Sequence, residues 1–243
     1  MKQIYEGKAK ILYETDEPSV YLAYYKDDAT AFNAQKRGQI QGKGEINCNI
    51  TAALFQWLES LGIPTHYIDQ PGAREMRVKA VEIIPLEVVV RNIAAGSLCK
   101  QTGLEEGTVL PYTLVEFYLK NDALGDPLLT IDRLNILNLA TTSEIEQLKT
   151  LALKINDHLQ EFFRQCDITL VDFKLEFGKD QLGKIYLADE ISPDTCRLWD
   201  NQETDVRARV LDKDRFRRDL GNVESAYQKV QQRVLEQAGK LGN

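Results

Sequence analysis

The sequence is poor in the residues that most often mark metal or thiol chemistry, with only two histidines, His66 and His158, and four cysteines in 243 residues. Cys48, Cys99, Cys166 and Cys196 are far apart and form no CxxC pair, which argues against a zinc site or a disulfide framework and for reduced, partly buried thiols. Histidine catalysis is set aside as well, since His158 falls in a helix-like pattern at the spacing of a solvated face. No apolar run approaches a membrane span, and the start, Met1-Lys2-Gln3-Ile4-Tyr5-Glu6, lacks the apolar core of a signal peptide, so a cytoplasmic protein is expected. Without a secretory route the sequon Asn49-Ile50-Thr51 carries no chemistry. An excess of basic charge is also missing: 30 Lys+Arg face 37 Asp+Glu, a net charge of −7. That balance excludes a general polyanion binder, so any phosphate ligand must be met by local cations.

What the sequence does have is alternating pattern. Residues 10–13 and 20–25 read as strands of an antiparallel meander, and from Glu45 the period changes to that of a helix ended by Gly62 and Pro64. Residues 77–84 and 86–93 read as two strands parted by Pro85, which lacks a ladder donor and marks a break or hinge. Residues 118–133 look polar and loop-like. Residues 143–166 form the strongest helix, with Ser143 and Glu146 spaced as a capping box. Residues 169–177 and 184–191 read as a hairpin, and 223–238 as a closing helix.

In Leu170-Val171-Asp172-Phe173-Lys174-Leu175-Glu176-Phe177 the two-residue period puts Asp172, Lys174 and Glu176 on one face and the apolar residues on the other. Hairpin pairing brings Asp189 toward that ionic row. Converging carboxylates repel unless a cation intervenes, and oxygen ligands with open positions suit magnesium; a solvated face of weak ion pairs is the plain alternative. Gly7-Lys8-Ala9-Lys10 lays two lysines along one side of an extended segment, as a triphosphate or a solvated strand edge would require. Gly38-Gln39-Ile40-Gln41-Gly42-Lys43-Gly44 fails the phosphate-loop spacing and has Gly44 where Ser or Thr is needed, leaving a Gly/Lys loop over a nucleotide open. Arg91, with Gly96-Ser97 at a helix start, suits a phosphomonoester or a tight capped turn. Arg197, Lys213, Arg215 and Arg217 add cations, though such a run often lies on a solvated face.

Together these segments resemble the SAICAR synthetase (phosphoribosylaminoimidazole-succinocarboxamide synthase) family over almost the whole chain. The resemblance rests on Tyr5-Glu6-Gly7-Lys8-Ala9-Lys10, on Ile84-Pro85-Leu86-Glu87-Val88-Val89-Val90-Arg91 through Gly96-Ser97, on Lys120-Asn121-Asp122 through Asp126-Pro127, on residues 170–178, and on Asp189-Glu190-Ile191-Ser192-Pro193-Asp194 with Arg197-Leu198-Trp199-Asp200. It implies an α+β, two-lobed ATP-binding fold: a small antiparallel β-rich N-terminal lobe (1–84), a larger α/β C-terminal lobe (85–243) and the active site in the cleft. It further implies Lys8, Lys10, Lys120, Lys174 and Glu176 at the nucleotide and the backbone of Val81, Glu82 and Ile83 at adenine. Lys174 and Asp189 would be catalytic, and Glu176, Asp189 and Asp126 would serve magnesium. Arg91, Ser97, Arg197, Lys213 and Arg217 would hold a phosphoribosyl-carboxyimidazole. The implied activity is ATP-dependent ligation of that carboxylate to L-aspartate in purine biosynthesis; a small-molecule kinase on the same plan is the rival. Partners are small molecules, not nucleic acid or membrane, with a homodimer allowed. Thr130-Ile131-Asp132-Arg133 looks less polar than the family pattern and is assigned no role.

Overall fold

The computed structural model describes residues 1–31 and 35–241. The chain opens with β1 (Gln3–Glu6), β2 (Lys10–Glu14), β3 (Val20–Tyr25), the pair β4 (Asp28–Ala31) and β5 (Lys36–Gln39), helix α1 (Lys43–Ser60), then β6 (Tyr67–Gly72) and β7 (Glu75–Lys79). There follow β8 (Glu82–Ile93), α2 (Ser97–Thr102), β9 (Val109–Leu119), β10 (Leu128–Leu129), α3 (Ile131–Leu137) and α4 (Thr142–Gln165). The last elements are β11 (Ile168–Lys179), β12 (Ile185–Ala188), β13 (Cys196–Asp200), α5 (Asp214–Arg217) and α6 (Val223–Leu241). A first sheet runs β1-β2-β3-β7-β6 and a second β10-β9-β8-β11-β12, with β13 also on β11, all antiparallel, which makes the class α+β.

Strand β11 decides where a site can form. One edge pairs with β8 along most of its length; the other is shared, β13 lying opposite residues 168–173 and β12 opposite 176–179. Between them, at Lys174, segment 189–195 arches off the sheet and is tied back to β11 by the bond from Lys174 N–H to the Thr195 carbonyl at 2.9 Å. The arch starts at Asp189 with φ 60°, a left-handed conformation that aspartate tolerates better than most residues.

The apolar face of β11 and the stripe Ile145, Leu148, Ala152, Ile155, Leu159 and Phe162 of α4 form one core. Each such side chain contributes roughly 1.5–3 kcal/mol on burial. On α1, the buried face of Ile46, Ile50, Leu54 and Leu58 belongs to the same core. Gly44 is required there: a Cβ would lie 2.3 Å from the Tyr25 carbonyl oxygen.

Four expectations need correction. Pro85 does not break the chain but lies inside β8; the ladder to β11 shifts register between the pairs Glu176/Glu87 and Gly178/Ile83, so a bulge absorbs the missing donor. The break falls instead at residues 80–81, between the two sheets. The capping box of α4 is Thr141 with Glu144, two residues before the expected pair. Residues 118–133 are not all loop: β9 ends at Leu119, and Thr130 caps α3 by accepting from Arg133 N–H. His158 is half-buried with its ring edge-on to Trp57 at 6.1 Å, not on a solvated face.

Candidate active site

Two adjoining cavities, of about 760 and 370 Å³, open where the two sheets face each other. The larger is lined by the β1–β2 turn and the lysine–carboxylate row of β11; the smaller by Arg91, Ser97, Tyr118, Asp172, Arg197 and Arg217.

In the larger cavity Lys174 Nζ lies 2.7 Å from Glu176 Oε1, 3.0 Å from Glu87 Oε1 and 3.8 Å from Asp189 Oδ2. Lys10 reaches over from β2 to bond Asp189 and lies 3.0 Å from Glu190 Oε1, while Lys120 pairs with Glu176. Burial alone would depress the ammonium of Lys174, but Glu176, Asp189 and Glu87 outweigh it and hold its pKa well above the ordinary value. Lys10 behaves alike under Asp189 and Glu190. Conversely, burial would raise Asp189, yet Lys10 and Lys174 hold it well below the carboxylate range. The side chains form a row of opposite-sign partners that can exchange internal contacts for phosphate oxygens and a cation.

Lys8 is engaged elsewhere, 2.5 Å from Asp122 Oδ1 across the cleft mouth. Asp126 lines both cavities and accepts from Asn121 N–H at 2.8 Å. Val81 precedes β8 and Glu82 and Ile83 open it, all outside the lining of both cavities; Ile83 pairs opposite Gly178 and Glu82 opposite Lys179. The Gly/Lys segment 38–44 is not a loop over the cleft: it is the end of β5 and the start of α1. Its Lys43 is buried, 2.8 Å from Asp194 Oδ2.

The smaller cavity is organised by Asp172, which sequence reasoning placed on the ionic face without a role. Its carboxylate accepts from Arg91 Nη1 at 2.8 Å and from Arg197 Nη1 at 2.8 and 3.0 Å, so two guanidinium groups share one counter-ion. Arg91 is fixed further by Glu116, Ser97 and Tyr118, and Arg197 by Asp214. Gly96 (φ 56°) lets the turn pass against Arg197, since a Cβ there would sit 2.4 Å from Nη2. Arg215 does not join the cluster: it is buried and donates to carbonyls of Val210 and Gly221. Arg217 and Lys213 do face the cavity. Among the residues missed, Asp172, Glu87, Glu190 and Asp194 stand in the quoted motifs and Lys43 in the Gly/Lys segment, but only folding joins Glu87 to Lys174 and Lys43 to Asp194.

Among the described residues no three His, Cys, Asp or Glu side chains form a metal-holding cluster. Glu176 and Asp189 nevertheless converge on one ammonium, Lys174 Nζ, a geometry that gathers two carboxylates around a cation. Magnesium commonly takes one or two carboxylates and completes its shell with phosphate oxygens and water, so this pair fits the ion.

The fold and the cleft define an α+β protein with a lysine–carboxylate cavity beside an arginine-lined one. The SAICAR synthetase family model matches residues 3–234. A phosphoribosylaminoimidazole-succinocarboxamide synthase of Synechocystis sp. is 71% identical over 99% of this chain and 91% of its own length. The crystal structure of the Ehrlichia chaffeensis synthase superposes with a TM-score of 0.92 at 45% identity, covering 96% of this chain and 98% of that one. A SAICAR synthetase in complex with ADP gives 0.90 at 45% identity, covering 95% and 96%. The chain belongs to the SAICAR synthetase family.

Proposed function

We propose that the protein is a cytoplasmic ligase that joins 5-amino-1-(5-phosphoribosyl)imidazole-4-carboxylate to L-aspartate, with ATP and magnesium, yielding the succinocarboxamide, ADP and phosphate. The observation that carries this reading is the pairing of two cavities that share a wall, one suited to a polyphosphate and one to a phosphomonoester. In this reading residues 1–84 serve the nucleotide and 85–243 the carboxylate substrate and the metal.

A carboxylate resists attack by an amine until one oxygen becomes a good leaving group, and phosphorylation achieves this. Lys10, Lys120 and Lys174 take the nucleotide phosphates, with Lys8 joining once it releases Asp122, and stabilise charge on the transferring phosphoryl group. The backbone of residues 81–83 borders the adenine. Glu176 and Asp189, with Asp126 nearby, hold magnesium, which when bound supplies Lewis-acid neutralisation of phosphate charge. Arg91, Ser97, Arg197 and Arg217 hold the substrate phosphate by charge-assisted bonds, and Lys213 stands where its carboxylate end must lie. Asp172 holds both arginine forks on one carboxylate at the cavity wall.

The test is ADP release with ATP, magnesium, the ribotide and aspartate, each omitted in turn. All four are expected to be required. ADP release at full rate without aspartate, with a phosphorylated ribotide as the stable product, would replace the ligase by a kinase.

A further inference from the structure

The wall shared by the two cavities contains Lys8, Asp126, Lys174, Asp194 and Lys213 among its ionisable groups. Four of these are committed. Lys8 pairs with Asp122, Lys174 with Glu176 and Glu87, and Asp126 accepts from Asn121 N–H. Asp194 accepts from Lys43 on one oxygen (2.8 Å) and from Tyr227 on the other (2.7 Å).

Lys213 differs. Its side chain is 14% exposed, and its nearest carboxylate oxygen among the described residues is Asp194 Oδ2 at 3.9 Å, beyond hydrogen-bond reach and already serving Lys43. Its backbone is fixed: its N–H donates to the Pro193 carbonyl, and its own carbonyl accepts from Arg217 N–H. We infer that Lys213 Nζ is the base that takes the proton the aspartate amine must lose before it attacks the activated carboxylate. This rests on the ligase reading above and assigns the base for that reaction.

The charged groups around Lys213 are Lys43 from α1, Arg217 from α5, and Asp194 and Glu190 from the arch. Burial, Arg217 and Lys43 lower its pKa from the ordinary lysine value, against the opposing pull of Asp194 and Glu190. A lysine so placed is more readily neutral and able to accept a proton. The neutral Nζ takes one proton from the aspartate ammonium, and the freed amine lone pair forms the C–N bond. The C–O bond to phosphate then breaks, and the nitrogen's second surplus proton leaves with the phosphate. Lys213 returns its proton to solvent.

The test compares the parent enzyme with Lys213→Met and Lys213→Arg, using aspartate or hydroxylamine as the acceptor. Hydroxylamine is neutral at pH 7 and needs no base. Lys213→Met is expected to lose about 100-fold or more of kcat with aspartate. Its KM for ATP should stay within about threefold of the parent, and at saturating ribotide its hydroxamate formation should fall far less than its amide formation. Its residual aspartate rate should climb with pH as the free amine grows, and arginine, which stays protonated, should not restore the rate. Equal loss of hydroxamate and amide formation would place Lys213 in phosphoryl transfer and overturn the inference, as would an unchanged aspartate kcat. A parent enzyme that releases no ADP with all substrates present would instead overturn the ligase reading itself, and the inference with it.

Discussion

Asp172→Asn tests how far the arginine site depends on one buried carboxylate. The carboxylate is 5% exposed and receives three charge-assisted bonds from Arg91 and Arg197, which are 3% and 19% exposed. Removing one partner of a buried ion pair costs about 3–5 kcal/mol because the other charge is left uncompensated. Here each arginine keeps a second carboxylate, Glu116 for Arg91 and Asp214 for Arg197, which puts the cost at the lower end, about 3 kcal/mol. For a chain of this length that lowers Tm by roughly 6–12 °C. Urea unfolding and calorimetry would read the stability, and initial rates would read the site. With the shared counter-ion gone, the ribotide KM should rise roughly tenfold or more, while the ATP KM stays within about twofold. A Tm loss with both KM values unchanged would make Asp172 purely structural; an unchanged Tm would show that the two arginines reach solvent or other partners without it.

Lys10→Ala should raise the ATP KM or lower kcat by roughly tenfold or more while leaving the ribotide KM nearly constant, since its ammonium lines the larger cavity, which we propose takes the nucleotide; an unchanged ATP dependence in folded enzyme would remove it from the site. Asp189→Asn should cut turnover on the order of 100-fold and shift the magnesium titration, with melting little changed, because asparagine accepts the left-handed φ of 60°. A magnesium midpoint and kcat equal to the parent's would move the metal assignment to Glu176 and Asp126. Glu144 is held down at about 2 by Lys179 and the Thr141 cap, so its stabilisation is fully present above its ordinary value near 4.3 and is lost as pH falls toward 2. Glu144→Gln should therefore cost about 1 kcal/mol at pH 7 and progressively less below pH 4; a gap between the urea midpoints that stayed constant from pH 7 to 3 would contradict this.

Local pattern was enough for the parts governed by near neighbours. The two-residue period of residues 170–177 separates the ionic and apolar faces of β11, and the helical period of 143–166 gives the core face of α4, because side-chain direction along a strand or helix depends on backbone repeat alone. The ordered motifs likewise carried the family. Pro85 misled because its cost depends on the ladder beside it, and the bulge opposite belongs to a strand some ninety residues later in the chain. The same limit hid the partners that matter for chemistry: Asp172 between Arg91 and Arg197, Glu87 beneath Lys174, and Lys43 on Asp194 are joined by antiparallel pairing and by the packing of α1. Which lysine is saturated and which, like Lys213, is left short of a partner is a property of distances between distant segments. Composition and spacing name the charges, and only the tertiary structure decides how they are shared.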